Sequence, residues 1–211
     1  METPSTSILL TLTLTISSLV LVRSGDPDIL SDFLIPPTLD PSTVTRQFFT
    51  FTGFRNLRKA NLTGKTNALI TKATKKEFPV LHGQSVSVAT LLYPPSGINP
   101  PHIHPRSAEL LLVLQGELEV GFVDSTNKLF VQTLRAPDLF LFPKGLVHFQ
   151  VNNDAHLPAA AVAMFGSSDA GTISIPRGVF GSGIKDDILA KAFATDKETI
   201  AKIVEANEPL T

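Results

Sequence analysis

Short apolar runs separated by turn residues dominate residues 85–165, and no other feature of the sequence constrains the fold as strongly. The first run, residues 85–92, opens with alternating polar and apolar residues, the periodicity of a β-strand. Further runs follow at a spacing of roughly 8–12 residues, which is typical of an all-β sandwich or barrel. They cover residues 108–114, 117–123, 128–134, 139–142, 147–151 and 159–165.

The bulk properties favour one domain and exclude several classes of function. A chain of 211 residues is long enough for a single core. The net charge is −1, from 18 basic and 19 acidic residues, and this balance argues against a nucleic-acid-binding protein, which needs a basic patch. Only 18% of residues are charged, which favours burial of part of the surface between subunits. The absence of cysteine excludes disulfides, thiolate ligands and cysteine nucleophiles.

Two histidines one residue apart precede the apolar run at residues 108–114. His102 and His104 have the i, i+2 spacing that places two side chains on one face of an extended strand. Glu109 enters the apolar run, where an unpaired carboxylate is costly to bury. A cation held between the three side chains would offset that cost.

A second stretch, residues 142–152, combines a Pro-x-Gly turn with a strand-like run that contains His148. Three neutral imidazoles and one carboxylate suit a divalent transition metal. Taken singly, His102 and His104 could be loop histidines and His148 a hydrogen-bonded core residue, but the combined spacing favours a metal site. Ligand chemistry alone leaves manganese, iron, nickel and zinc as candidates, of which zinc would offer only Lewis-acid chemistry.

Both stretches resemble the motifs of the cupin superfamily. The pattern H-x-H-x4-E-x6-G ends at Gly116, and P-x-G-x2-H-x3-N runs from Pro143 to Asn152. The strings PPHIHPR and FPKGLVHFQ are similar to those of plant germins and germin-like proteins, and the resemblance extends from about Gly25 to the C-terminus. It implies an all-β, single-domain cupin jelly-roll β-barrel with an extended N-terminal arm and short C-terminal α-helices.

Four consecutive segments are expected. Residues 1–24 are predicted to be a secretory signal peptide, because an apolar run at residues 8–22 precedes a cleavage site with Val22 and Ser24 before Gly25. The usual basic n-region is missing, and an uncleaved anchor is the alternative. No later run is long and apolar enough to span a bilayer. The other segments are the N-terminal arm at 25–58, the cupin β-barrel at 59–175 and the C-terminal helical segment at 176–211.

The two ends of the mature chain differ from the barrel. In germins a disulfide ties the arm, but Leu34 stands at the usual first cysteine, so the arm must be held by packing alone, with Phe33, Leu34 and Ile35 as candidate anchors. Residues 175–183 are predicted to be an irregular link, and Thr195 is predicted to be the N-cap of a later amphipathic helix. The resemblance implies a homo-oligomer, a hexamer built as a trimer of dimers.

The resemblance also implies manganese (Mn2+) as the cofactor, held by His102, His104, Glu109 and His148, with superoxide or another small anion at the metal. Whether the protein is an enzyme stays open; if it is one, superoxide dismutation is favoured over oxalate oxidation, because dismutation needs only a redox metal, an open position and a proton source. A non-enzymatic wall or receptor protein stabilised by its metal is the alternative.

Oxalate oxidation is a further alternative that the sequence disfavours. Asn99 matches one of two asparagines that bind oxalate in germins, whereas the other falls on Ala89, which cannot donate a hydrogen bond. Arg106 and Lys144 flank the motifs; each could steer an anion towards the metal, but both are expected to be exposed loop charges.

Secretion is the expected localisation, in the extracellular space of the plant apoplast or cell wall, where the family has roles in defence. Asn61 begins an Asn-Leu-Thr sequon and is the predicted glycosylation site. The locally basic residues 65–78 are predicted to be a solvated segment.

Overall fold

The computed structural model describes residues 25–207, so the predicted signal peptide lies outside the described residues. Within this range ten strands form two five-stranded antiparallel sheets, which confirms the predicted jelly-roll class. The strands are β1 (Leu69–Ala73), β2 (Ser87–Tyr93), β3 (Ile98–Ile103), β4 (Glu109–Gln115), β5 (Glu117–Val123), β6 (Leu129–Arg135), β7 (Leu139–Phe142), β8 (Val147–Val151), β9 (Ala159–Phe165) and β10 (Ile173–Ser174).

The sheet orders are β1-β2-β9-β4-β7 and β10-β3-β8-β5-β6. The core lies between the sheets because each contributes its inward-facing residues: Leu111 and Val113 from β4 pack with Leu118 and Val120 from β5, all fully buried. Burial alternates along β2 and β4, the period that the sequence predicted. From residue 108 to residue 165 the predicted strands match the observed ones to within one residue at either end.

Residues 65–78 are mostly exposed, as predicted, but they also contain a strand that the sequence analysis did not predict. Leu69–Ala73 forms β1, which pairs with β2 at the edge of its sheet. An edge strand has a neighbouring strand on one side only, so its residues are more exposed than those of a central strand. The apolar alternation in its sequence is correspondingly weak.

Three helices follow the barrel: α1 (Ile175–Phe180), α2 (Asp186–Ala192) and α3 (Lys197–Asn207). They pack on one another around Leu189, Ala190 and Ile200. The prediction of an irregular link was wrong for α1, where Ser174 accepts a hydrogen bond from the Arg177 amide and caps the first turn.

The predicted N-cap at Thr195 was also wrong by one residue. Helix α3 begins at Lys197, and Asp196 Oδ1 accepts from the backbone N–H of Thr199 at 2.8 Å. The Asp196 carboxylate is an acceptor at the N-cap position, while the Thr195 amide bonds to the Ala190 carbonyl. Among residues 25–207, no helix has the length and hydropathy needed to cross a membrane.

The N-terminal arm has no strand among its described residues and contains short 3-10 helices. The three predicted anchors are half-buried. The Phe33 ring packs edge-on against Phe49, with centroids 5.0 Å apart, and lies 6.3 Å from the Phe48 ring.

Hydrogen bonds also hold the arm, so the prediction that packing alone would hold it was wrong. The Asp26 carboxylate accepts from Ser167 Oγ at 2.8 Å and from the Ser168 backbone N–H at 2.7 Å. Gln84 Nε2 donates to the Asp32 carbonyl at 3.0 Å. These contacts join the arm to the loop after β9 and to the turn before β2.

Candidate metal centre

The four predicted ligands converge between the two sheets. His102 on β3 lies directly opposite His148 on β8 in the strand register, and His104 follows the end of β3. Glu109 opens β4 in the other sheet. One candidate ligand atom from each residue lies within 4.8 Å of the others, and all four residues are buried.

A β-bulge in β3 places both Asn99 and His102 on the inner face of the sheet. Asn99 pairs with Gln150 and His102 pairs with His148, so three steps on β3 oppose two on β8. The Pro-Pro pair before His102 suits this bulge because proline has no N–H to give to a ladder. As a result Asn99 and His102, three residues apart, are both buried on the inner face.

Backbone carbonyls fix the tautomer of each imidazole in the cluster. A carbonyl oxygen only accepts, so the bonded Nδ1 carries a proton and Nε2 is the nitrogen left to bind another partner. This partnership orients metal-binding histidines in proteins. The acceptors are the carbonyls of Pro100 for His102 at 2.8 Å, Leu146 for His148 at 2.8 Å and Gly171 for His104.

The protonation states match a metal site. Burial, and then repulsion from His148, lower the pKa of His102 to about 4, so its imidazole is neutral at pH 7. Burial alone would raise the pKa of Glu109, but hydrogen bonds and charge from His104 and His148 outweigh it and lower that pKa to about 2. Neutral imidazoles with an ionised carboxylate are the forms that bind a divalent metal.

The distances indicate that a positive charge belongs at the point of convergence. His104 Nε2 lies 2.8 Å and His148 Nε2 lies 3.4 Å from Glu109 Oε2. A nitrogen lone pair facing an anionic oxygen at this range is repelled unless a proton or a cation lies between them. The donor set therefore fits a divalent transition metal, which would satisfy all four ligand atoms at once.

A cavity of about 300 Å³ opens onto the cluster. Asn99 and Ala89 both line it, and the Ala89 side chain presents only a methyl group. Further out, Lys72, Lys76 and Thr172 line the cavity. The described residues thus form a pocket with a buried ligand cluster at its inner end and exposed charged residues at its mouth, where the carboxylates of Glu77 and Asp169 accompany the two lysines.

The family model that matches this chain is Cupin, over residues 55–201. Germin-like protein 9-3 of Oryza sativa subsp. japonica is 53% identical over 204 residues, which cover 94% of this chain and 95% of that protein. Germin-like protein subfamily 2 member 1 of Arabidopsis thaliana is 40% identical over 223 residues, with 99% of each chain covered. This chain is a germin-like protein of the cupin superfamily.

Solved structures give the same assignment for the fold of this germin-like chain. A structure of oxalate oxidase superposes with a TM-score of 0.79 at 30% identity, covering 86% of this chain and 98% of the other. Oxalate oxidase in complex with the substrate analogue glycolate superposes with a TM-score of 0.78, also at 30% identity and with the same coverage.

The sequence analysis missed one buried residue beside the ligands. Gln150 is fully buried, and its Nε2 donates to Glu109 Oε1 at 3.4 Å. Its Oε1 accepts from Asn99 Nδ2 at 2.7 Å and from the Tyr93 hydroxyl at 3.5 Å. Gln150 therefore holds the far oxygen of the carboxylate whose near oxygen faces the imidazoles. Its position two residues after His148 in a buried strand was the available signal.

The two cations that flank the motifs are exposed, as expected from the sequence, and neither lines the cavity. Arg106 Nη2 pairs with Asp169 Oδ1 at 3.0 Å, and Lys144 is exposed. Among the described residues the lysines that line the cavity are Lys72 and Lys76. Both lie in residues 65–78, the segment predicted to be solvated.

Proposed function

We propose that this chain is a secreted, manganese-binding germin-like protein of the plant apoplast or cell wall, with superoxide dismutation as its activity and a role in defence. One observation carries the metal proposal: three imidazoles, each with an Nδ1–H bond to a backbone carbonyl, surround one ionised carboxylate so that one ligand atom from each residue lies within 4.8 Å of the others. His102, His104, Glu109 and His148 are the residues that would hold the metal.

When bound, manganese would supply one-electron chemistry between Mn(II) and Mn(III). The balanced reaction takes two superoxide anions and two protons, oxidises one anion to O2 and reduces the other to H2O2. The chain itself orients the ligands through backbone carbonyls and shields them with aromatic rings. Phe142 stacks on the His148 ring at 4.5 Å between centroids, and Phe165 meets the His104 ring edge-on at 4.8 Å. The lysines at the mouth would attract an anion into the cavity.

Oxalate oxidation is the second candidate because both superposed structures are oxalate oxidases. The cavity argues against it here. Ala89 offers no donor, and the Asn99 amide already gives one of its N–H groups to Gln150. A dianion beside the metal would therefore find few neutral donors. A non-enzymatic wall or receptor protein, in which the metal stabilises the barrel, is the third candidate.

Self-association is supported by the outer face of the β1-β2-β9-β4-β7 sheet. On a solvated sheet face the outward residues are normally polar, but here two rows of apolar side chains cross it. The rows are Leu141, Leu110, Met164 and Val88, and beside them Leu139, Leu112 and Val162.

Such a face is suited to burial against a second copy of this chain. Leu139 and Leu141 are 54% and 55% exposed in the single chain, although they belong to a sheet whose other face is core. Closed symmetric pairing of identical faces is the commonest oligomer architecture. We therefore propose a homo-oligomer, with the hexamer built as a trimer of dimers that the family resemblance implies.

Secretion and glycosylation remain part of the proposal. The Asn61 side chain is exposed and accepts from the Thr63 backbone N–H at 2.9 Å, inside the sequon. An exposed sequon just after the arm is accessible to glycosylation if the chain enters the secretory pathway.

Elemental analysis of the secreted protein, with superoxide and oxalate assays on the same sample, tests the function. We expect about one manganese per chain, because the cluster offers one set of four ligands, together with superoxide activity. Both should disappear in His102→Ala and persist in His156→Ala, a matched control on an exposed histidine outside the cluster.

Each other outcome has a defined meaning. Manganese without either activity would favour the metal-stabilised wall or receptor protein. Oxalate turnover would show that Ala89 does not exclude that substrate. Folded protein without any bound metal would refute the metal site itself.

A further inference from the structure

Lys72 reaches the metal cavity through the register of two strands. In the β1–β2 pairing Lys72 lies opposite Ala89, and Ile70 lies opposite Leu91. Directly opposed residues of antiparallel strands place their side chains on the same face. Ala89 and Leu91 face the cavity, and both Ile70 and Lys72 line it. Lys72 therefore lies beside Ala89, whose side chain has no amide donor.

The Lys72 ammonium contacts the loop that follows β9, on the exposed side of the cavity. Nζ donates to Thr172 Oγ1 at 3.2 Å. Thr172 follows Gly171, whose carbonyl accepts from the His104 imidazole. The cation thus contacts the same loop that orients one of the proposed metal ligands.

This ammonium has hydrogen-bonding capacity left for a ligand. An ammonium carries three N–H donors, and in the described residues no carboxylate oxygen lies within 4.0 Å of Lys72 Nζ. The nearby Arg106 differs, because Asp169 already pairs with it at 3.0 Å. Lys72 is consequently a cavity-lining cation with N–H donors available to an anionic group, in a lining that also contains Lys76 and the carboxylates of Glu77 and Asp169.

The size of the cavity exceeds what a diatomic anion needs. About 300 Å³ corresponds to roughly ten water molecules at their liquid volume. A ligand larger than a diatomic anion fits this volume, and an acidic group of such a ligand directed towards β1 would meet Lys72 and the Thr172 hydroxyl.

We infer that Lys72 determines ligand specificity in this cavity and that it selects dicarboxylates longer than oxalate, such as malonate, over monocarboxylates. The inference rests on the proposed function, since the first carboxylate would bind at the metal. The second carboxylate would accept charge-assisted hydrogen bonds from the ammonium, which are stronger than those from a neutral amide.

Calorimetric titration of manganese-loaded protein with malonate and with acetate tests this selection. Lys72→Met keeps the length of the side chain but removes the charge, so malonate affinity should fall about tenfold or more while acetate affinity changes little. Lys72→Arg should retain malonate binding. Lys75→Met is the matched control, because Lys75 is an exposed lysine three residues along that does not line the cavity.

Metal content measured on the same samples separates the two proposals. Unchanged malonate affinity in fully loaded Lys72→Met protein would overturn the inference about Lys72 and leave the metal site intact. Equal weakening of malonate and acetate would also overturn it, because that result indicates general attraction of anions rather than selection. Loaded wild-type protein that binds neither acid would do the same. Wild-type protein that holds no metal would overturn the proposed function and this inference with it.

Discussion

The inner end of the cavity and its rim are built in different ways. At the inner end the ligands lie on or beside central strands, are buried, and are fixed by carbonyls or by Gln150. At the rim, Lys72 comes from an edge strand, and its partner Thr172 comes from a loop; both are exposed. The comparison indicates that the metal chemistry is set by packing that tolerates little change, whereas the rim can change its charge without disturbing the metal.

One loop nevertheless connects the two regions. Residues 166–172, which we call the rim loop, contact the metal cluster, the edge strand and the N-terminal arm. Its contacts are the Gly171 carbonyl with His104, the Thr172 hydroxyl with Lys72, and Ser167 and Ser168 with Asp26. The independence of rim and inner end is therefore open to experiment.

Acid should produce the largest effect, and it should act on the inner end. The pKa of His102 is lowered from 6.5 to about 4 in the folded protein. Between these values the unfolded chain binds more protons, so the stability of metal-free protein should fall as the pH drops from 6.5 to 4. The loss is on the order of 3 kcal/mol, at 1.36 kcal/mol per pKa unit.

Glu109 extends the same trend to lower pH. Its folded pKa of about 2 lies below the ordinary 4.5, so its stabilising contribution is present above pH 4.5 and is lost as the pH falls towards 2. Thermal unfolding of metal-free protein from pH 7 to pH 3 measures both groups, and His102→Gln should flatten the upper part of the curve. A melting temperature independent of pH between 6.5 and 4 would contradict the burial argument for His102.

The inner end could be predicted from the sequence because its signals are local. The i, i+2 spacing of His102 and His104 gives a shared face on an extended backbone, and Glu109 was conspicuous as a carboxylate entering an apolar run. The strands of the barrel likewise follow from alternation within each run. In the structure the four predicted residues lie together. His148 joins the cluster through the pairing of β3 with β8, which the sequence of neither strand alone specifies.

The rim could not be predicted because its contacts depend on long-range pairing. Lys72 meets Ala89 through the β1–β2 register, and its own segment has weak alternation because β1 is an edge strand. The N-cap Asp196 was missed for a different reason. Thr195 and Asp196 are both good capping residues, and the sequence alone does not decide which of the two adjacent residues is the N-cap of the helix.

A smaller effect is expected from Gln150→Met, which removes the link between Glu109 and its supporting side chains. Asn99 Nδ2 and the Tyr93 hydroxyl would lose their acceptor inside the core, at a cost of about 1–3 kcal/mol in the free energy of unfolding. Metal affinity should fall roughly 10–100-fold, as is typical when a group that orients a ligand is removed.

Thermal unfolding and competition with a chelator measure the two effects separately. Gln132→Met, an exposed glutamine on β6, is the control and should leave both unchanged. If Gln150→Met lowered stability with full metal affinity, Gln150 would support the core and not the ligand, and the inner end would be more tolerant than the comparison implies.

The smallest effect is expected at the junction of the arm and the rim loop. Burial raises the pKa of Asp26, but hydrogen bonds from Ser168 and Ser167 outweigh it and lower that pKa, which shows that the folded state stabilises the carboxylate. Asp26→Ala should cost about 1 kcal/mol per lost bond and speed proteolysis within residues 25–58, whereas Asp28→Ala, at an exposed aspartate, should change neither. Metal content should remain at the wild-type level. Loss of metal in Asp26→Ala would mean that the rim loop transmits the change through Gly171 to His104, and that rim and inner end form one cooperative unit.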